Sequence, residues 1–432
     1  MAMGDFDMRQ VATVILSGGQ GTRLYPLTET RCKPAIALGG SYRLIDVALS
    51  NAIHSGCRKI FVVTQFLSSS LHKHIGTTYQ GHSVFAHGFI DLLPAEQRPS
   101  SSDWFEGTAD AVRKNLFYLE EVGADYFLIL SGDQLYRMNF QRLIASARTS
   151  GADVTIAALP VGREDASRMG VLALDRRGKV SQFLEKPQQP DLLAPFSMRA
   201  ETRLQLGLAA EDERCYLASM GIYLFRREAL LRFLAADRRE DFGKHLLPTA
   251  IEEGNCYGYL YDGYWEDVGT IGAFYRVNME LTQPRPLFNC YDEEWPLLQA
   301  PIDLPGAKCY QAELNHSILC QGAFVERASL SHTILGPRAC VLKGCEISDS
   351  YIMGHDFYVP PGRSKARYPE KLQISEGCVI KRAIIDKEAY LGKGVRLTNE
   401  RGLESYDGDQ VFIRDGVIIV ARGASLPDGY VL

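Results

Sequence analysis

Three glycines in four residues, Gly18-Gly19-Gln20-Gly21, follow the apolar run Val11–Ser17, and Thr22-Arg23 close the turn. Glycine lets a backbone approach an anion closely, and successive turn N–H groups can point at phosphate oxygens. Arg23 adds a planar fork of donors. Lys33, ahead of Pro34, adds a second cation of the kind a triphosphate needs. The spacing is neither Gly-x-x-x-x-Gly-Lys-Ser/Thr nor Gly-x-Gly-x-x-Gly, which excludes the P-loop and the dinucleotide fingerprint. A plain glycine-rich turn between strand and helix stays open as the alternative. Asp133 stands just beyond a second apolar run, Tyr126–Ser131. A carboxylate there lies at the edge of a parallel sheet where ligands bind, although a lone Asp also suits a turn or a helix cap.

The elements that must position these residues alternate along the first two-thirds of the chain. Strands are predicted at Val11–Ser17, Arg58–Thr64, Tyr126–Ser131, Asp153–Pro160 and Met220–Phe225, with helical patterns such as Ala111–Glu121 between them. Such alternation implies βαβ units and a mostly parallel, Rossmann-like sheet covered on both faces. From Gln283 to Pro305 five prolines make an irregular connection. Beyond it Leu335, Val341, Ile347, Met353 and Val359 recur every six residues, and the pattern resumes at Ile374, Ile380, Ile385, Leu391 and Leu397. Period six is the mark of a hexapeptide β-helix rather than of an α-helix. The expected division is a catalytic domain over 1–285, a Pro-rich connection over 286–308 and a left-handed parallel β-helix over 309–432.

Composition narrows the function. The chain has 432 residues, 46% of them hydrophobic, and a formal net charge of -5 that argues against a nucleic-acid partner. No apolar run approaches the roughly 18 residues of a membrane span. Ten scattered cysteines include no Cys-x-x-Cys pair and read as free thiols. The first ten residues contain neither the basic nor the apolar part of a signal peptide. A cytoplasmic location is expected, or a plastid stroma if a transit peptide has been removed.

GGQGTRLYPLT followed by RCKPA resembles the opening of the sugar-nucleotide pyrophosphorylases, which join a sugar phosphate to a nucleoside triphosphate. GGSYRLIDVALSNAIHSG, WFEGTADAV, SGDQLY, FLEKP, ASMGIY and WEDVG, in that order, resemble the ADP-glucose pyrophosphorylase family more narrowly, and CVIKRAIIDKEAYLGKGV resembles the β-helix of its cyanobacterial and plant members. The resemblance implies ATP and glucose 1-phosphate as substrates, Mg²⁺ as cofactor, a homotetramer and regulation by a phosphorylated metabolite. Carried onto this chain, it gives Arg23, Lys33 and Asp133 catalytic roles. It puts the nucleotide against Gly18, Gly19, Gly21, Thr22, Gln65, Gln97, Gly107 and Thr108. The sugar phosphate would meet Glu185, Lys186, Ser219, Tyr223, Trp265 and Asp267, with Asp133 and Asp267 on the metal. Lys387 and Arg422 would hold the effector, Arg422 standing where a lysine is expected.

Two further departures concern regulation. Ser41 replaces a lysine and Phe105 a tyrosine of many bacterial relatives. Three other readings remain: a sugar nucleotidyltransferase using a different nucleotide, a non-catalytic regulatory subunit, and an acyltransferase. The charged positions that a degraded subunit would lose are present. His332 and His355 read as solvent-exposed, which leaves the β-helix without an acyltransferase histidine.

Overall fold

A computed structural model describes residues 6–79, 88–96, 104–209, 211–299 and 303–432. The N-terminal part is built on one large sheet. Its strands are β1 (Val11–Ser17), β2 (Lys59–Thr64), β3 (Phe89–Pro94), β4 (Tyr126–Ser131), β6 (Val154–Val161), β7 (Gly170–Leu174), β8 (Val180–Glu185), β9 (Tyr216–Arg226) and β10 (Cys256–Leu260). The order is β8-β7-β9-β4-β1-β2-β3, and β6 pairs with β9 and β10. Between β4 and β6, the short β5 (Gln134–Tyr136) pairs outside this sheet with β11 (Trp265–Asp267).

The β4-β1-β2-β3 half is parallel, as the alternation predicts. The long β9 runs antiparallel to β4, β6 and β7. Side chains of β1 and β4 serve two cores in turn: Val11, Ile15, Leu128 and Leu130 face one side, and Ala12, Val14, Phe127 and Ile129 the other. Burial on both faces is why these strands read as unbroken apolar runs. The predicted helix over 111–121 is two helices, Thr108–Lys114 and Leu116–Glu121, parted at Asn115. The Asn115 side-chain amide donates to the Ala111 carbonyl at 2.8 Å, the local competition that makes Asn a poor interior helix residue.

After Glu280 no described residue joins a helix or strand until Lys308. This Pro-rich stretch is strapped to α1 (Leu44–His54): the Trp295 indole N–H donates to Asn51 Oδ1 at 2.9 Å, and the Leu298 N–H to Ser50 Oγ at 2.9 Å.

The C-terminal part is a parallel β-helix. Its registers advance by about one coil at a time, as in Ser329↔Glu346 and Val379↔Arg396. Leu335, Val341, Ile347, Ile374, Ile380, Ile385, Leu391 and Leu397 all enter its core. Two members of the six-residue series do not. Met353 is buried at the junction with the N-terminal domain, and Val359 is 65% exposed. Past Met353 the chain leaves the coil for an excursion that returns at Ile374, so Val359 keeps the spacing without the stacked neighbour that would bury it.

The two domains share one apolar core, in which Leu24, Leu27 and Phe274 join Ile334, Tyr351, Ile384 and Ile419. Arg31 and Asp386 form an ion pair across the junction, each side chain 1% exposed. Gly272 donates its N–H to Asp415 Oδ2 at 2.8 Å, and a Cβ there would press on the same carboxylate.

Candidate functional site

The carboxyl ends of β1, β2 and β4 open into a cavity of about 820 Å³. Gly18 and Gly19 form its floor beside Gln20. Gly21 takes a left-handed φ of 64° and leads into the single turn Thr22–Leu24. A side chain at Gly21 would sit 3.1 Å from Thr28 Cγ2 and 3.2 Å from Lys33 Cβ, while Thr28 Oγ1 donates to the Gly21 carbonyl at 3.0 Å. The glycine loop is therefore pressed against the segment that carries Lys33.

Lys33 is the centre of the charge arrangement. Its Nζ lies 2.7 Å from Asp133 Oδ2 and 3.5 Å from Asp267 Oδ1, with the lysine side chain 10% exposed. Asp133 reaches this point from the end of β4. Asp267 reaches it because β11 pairs antiparallel with β5, which sets Asp267 opposite Gln134. Burial alone would raise the Asp133 carboxyl, but the Lys33 charge, the Lys33 hydrogen bond and the Ser131 hydroxyl hold it below the usual range. Burial likewise opposes the Lys33 ammonium, and the two aspartates outweigh it and raise Lys33. A Cβ on Gly269 would stand 2.9 Å from Asp267 Oδ2 and 3.2 Å from Arg23 Nη2, so Arg23 shares the locality.

Two carboxylates that one ammonium already bridges are a donor set suited to Mg²⁺, which takes one or two protein carboxylates and completes its shell with phosphate oxygens and water. Among the described residues no cluster of three or more His, Cys, Asp or Glu forms a closed metal cage. Asp133 and Asp267 thus fit an ion that arrives with a phosphate ligand.

Beyond this centre lies a second cavity of about 810 Å³, lined by Arg23, Lys186, Trp265 and Asp267 among others. Trp265 Nε1 donates to Gln134 Oε1 at 3.3 Å, in the region between the two cavities. Lys186 faces the second cavity and Glu185 the first, and Lys186 takes a left-handed φ of 49° as β8 ends. Side chains at Gly170 and Gly243 would fall 2.6 and 2.9 Å from Glu185 Oε2, so glycine keeps that carboxylate's surroundings clear. Burial raises the Glu185 carboxyl despite the adjacent Lys186. Ser219 and Tyr223 are brought near one another by a bulge in β9, with Ser219 Oγ 3.4 Å from the Tyr223 hydroxyl.

The expected nucleotide end divides. Gln65 lines the cavity, but its amide is spent on Phe105: it accepts from the Phe105 N–H at 2.7 Å and donates to the Phe105 carbonyl at 3.3 Å. These bonds shape the loop and leave one amide hydrogen and one lone pair of Gln65 at the cavity. Thr108 Oγ1 accepts from the Phe242 N–H at 3.0 Å and donates to Asp241 at 3.3 Å, and Gly107 lets the chain pass the Glu240 carbonyl. Gln97 lies outside the described residues. Two features of the rim escaped the sequence reading. Trp104 stacks on Phe66 at 5.5 Å and 5°, an aromatic pair inside the WFEGTADAV block. Asp241, Phe242 and Gly243 line the same cavity from the DFGKH stretch, whose acid-aromatic-glycine sequence was the available signal.

Lys387 and Arg422 also come together, at the domain junction. The Lys387 ammonium holds Asp356 Oδ1, and Arg422 donates to Asp356 Oδ2 at 2.9 Å and to Glu388 Oε2 at 2.8 Å. Burial would raise Asp356, but Lys387, then Arg422 and Arg43, drive its carboxyl well below the usual range. Ser41 is half-buried against the β-helix, with its hydroxyl 3.5 Å from Cys320 Sγ. His355 corrects the sequence reading: it is only 5% exposed. Its Nδ1 accepts from the Glu388 N–H at 3.2 Å, and its backbone N–H donates to the Pro337 carbonyl at 2.8 Å. Burial and the Lys387 charge push its imidazole down to about 4. His332 is partly exposed, 3.8 Å from Asp349. All ten cysteines are free thiols. No helix among the described residues is long and apolar enough to cross a membrane.

Comparison with known families gives two matches in tandem. The model described as nucleotidyl transferase matches residues 12–303, and that described as the GLGC left-handed parallel beta-helix domain matches residues 303–431.

Proposed function

This chain belongs to the nucleotidyl transferase family in the two-domain, ADP-glucose pyrophosphorylase-like arrangement, and we propose that it is a glucose-1-phosphate adenylyltransferase. It would make ADP-glucose and pyrophosphate from ATP and glucose 1-phosphate, the first committed step toward glycogen or starch. The observation that carries this reading is the meeting of Asp133, Asp267 and Lys33 where the glycine-loop cavity and the Lys186 cavity approach one another.

An oxygen of the sugar phosphate attacks the α-phosphorus of ATP, and pyrophosphate leaves in line. The nucleophile is already an anion near neutral pH, so the protein need supply no general base. What it must supply is position and positive charge. Gly18, Gly19, Gly21 and Thr22 present backbone to the triphosphate, and Arg23 and Lys33 offset its charge. Lys186 holds the sugar phosphate while Glu185, Ser219 and Tyr223 face the sugar hydroxyls and Trp265 packs beside the ring. Asp133 and Asp267 would hold Mg²⁺, whose chemistry is to neutralise charge shared between the two phosphates. Gln65, Gly107 and Thr108 serve the nucleotide indirectly, by fixing the loop that carries Phe105 and Trp104.

The division we assign is 1–285 for catalysis, 286–308 for the connection and 309–432 for the β-helix. The Lys387–Arg422 cluster is the regulatory site of this reading. It takes a phosphate-bearing metabolite at the domain junction, in a homotetramer of the cyanobacterial and plant type working in cytoplasm or stroma.

The test is pyrophosphate release by the purified protein with glucose 1-phosphate and each of ATP, UTP, dTTP, CTP and GTP. A preference for ATP supports the reading. Preference for another nucleotide would make the chain a different sugar nucleotidyltransferase. Inactivity alone, with stimulation of an active partner subunit, would make it a regulatory subunit.

A further inference from the structure

We propose that Lys33 is the resident cation of the Asp133–Asp267 site in the free enzyme, and that a divalent ion takes its place only when nucleotide phosphate is there to receive the ammonium. This rests on the reading above that the two aspartates hold the ion and the glycine loop holds the triphosphate.

Three observations carry it. Lys33 Nζ stands 2.7 Å from one carboxylate and 3.5 Å from the other, so a divalent ion bound to the same oxygens would meet the ammonium at close contact. At such range like charges repel strongly wherever water is scarce. The carboxylate does not give way easily, since Asp133 Oδ1 is held by the Ser131 hydroxyl. The lysine backbone does not either: the Ile36 N–H donates to its carbonyl at 3.0 Å, and the Gly21 turn abuts its Cβ. What remains free is the outer stem of Lys33. The Gly21 turn stands beside the base of that side chain, so the loop where phosphate oxygens would offer the ammonium new partners is its sequence-distant neighbour.

Lys33 and the nearby Arg23 together balance the two carboxylates. The site is satisfied enough to stay closed without substrate, and it gains a net negative charge for a dication only as these cations turn to phosphate. Ion and nucleotide therefore enter together, and Lys33 moves from holding the empty site to neutralising the phosphates. Its role in the free enzyme is positioning, distinct from its contact with substrate.

The experiment is a Mn²⁺ titration followed by the paramagnetic resonance signal of the free ion. It uses the whole protein, with and without a non-hydrolysable ATP analogue. Wild type is expected to bind Mn²⁺ weakly alone and much more tightly with the analogue. Lys33→Gln is expected to bind Mn²⁺ alone at least about tenfold more tightly than wild type, because the competing charge is gone. Lys33→Arg keeps a cation and is expected to behave as wild type. Lys33→Met, closer in shape to the lysine stem, gives a second neutral variant. Thermal unfolding supplies an independent readout: Mn²⁺ alone should raise the midpoint of the neutral variants, and of wild type only with the analogue. Equal or weaker Mn²⁺ binding by folded Lys33→Gln and Lys33→Met, while wild type binds Mn²⁺ with the analogue, overturns this inference and leaves the function intact. Failure of wild type to bind Mn²⁺ even with the analogue overturns both.

Discussion

Asp386→Ala strips Arg31 of the carboxylate that pairs with it across the domain junction. Both side chains are almost fully buried, and among the described residues Arg31 makes one other bond, from Nε to the Leu27 carbonyl at 3.0 Å. Its Nη1 already lacks a partner among the described residues. A guanidinium cannot shed its proton to escape, so the variant leaves an uncompensated charge in an apolar seam. Breaking one side of such a pair costs about 3–5 kcal/mol. Asp386 Oδ1 also accepts from the Lys387 N–H at 2.6 Å, and losing that bond adds about 1 kcal/mol. The expected loss is thus about 4 kcal/mol or more, a large share of a domain's ordinary stability. Urea unfolding measures it, with fluorescence for the N-terminal part, since Trp104, Trp265 and Trp295 all precede the β-helix, and circular dichroism for the whole. Arg31→Met with Asp386→Ala removes both charges and should recover most of the loss, with a coupling to the single variants above about 2 kcal/mol. A single-variant cost below about 1 kcal/mol, or simple additivity in the double variant, would refute the claim that this pair locks the domains.

Asp133→Asn should lower turnover by about a thousandfold while circular dichroism stays native, because a near-isosteric change removes the charge at the reaction centre. Asp356→Asn should tighten the response to a phosphorylated activator by about tenfold, since Lys387 and Arg422 would no longer be engaged by an internal carboxylate; the activator concentration for half-maximal rate checks it. His355 titrates near 4 in the folded protein against about 6.5 unfolded. Between those values the unfolded chain binds more protons, so stability falls as pH drops from 6.5 to 4, by roughly 3 kcal/mol from this group. Unfolding midpoints of wild type and His355→Gln should converge over that window.

Residues buried on both faces of a sheet, or stacked on like residues of the next coil, write their periodicity directly into the chain. That is why β1, β4 and most of the six-residue series were legible. Val359 kept the period and lost the burial, because spacing alone does not show where a coil is interrupted. Gln65 reads as a base contact by residue type, and its amide also binds the Phe105 backbone, a contact between residues forty apart that no local pattern carries. His355 read as exposed because its cover comes from neighbouring coils of the β-helix, at Pro337 and Glu388, which no local pattern shows. The approach of Asp267 to Asp133 needed the β5–β11 ribbon as well as the sequence, and only the family resemblance anticipated it. The Lys33 bridge between the two aspartates had no sequence signal, since it depends on side-chain distance alone.

The most direct test of the central claim is a crystal structure with Mn²⁺, glucose 1-phosphate and a non-hydrolysable ATP analogue, the ion located by its anomalous scattering. One ion held by Asp133 and Asp267 and touching both phosphates, with Lys33 moved onto the nucleotide, is the expected result. An ion bound elsewhere, with both aspartates still closed on Lys33, would contradict it.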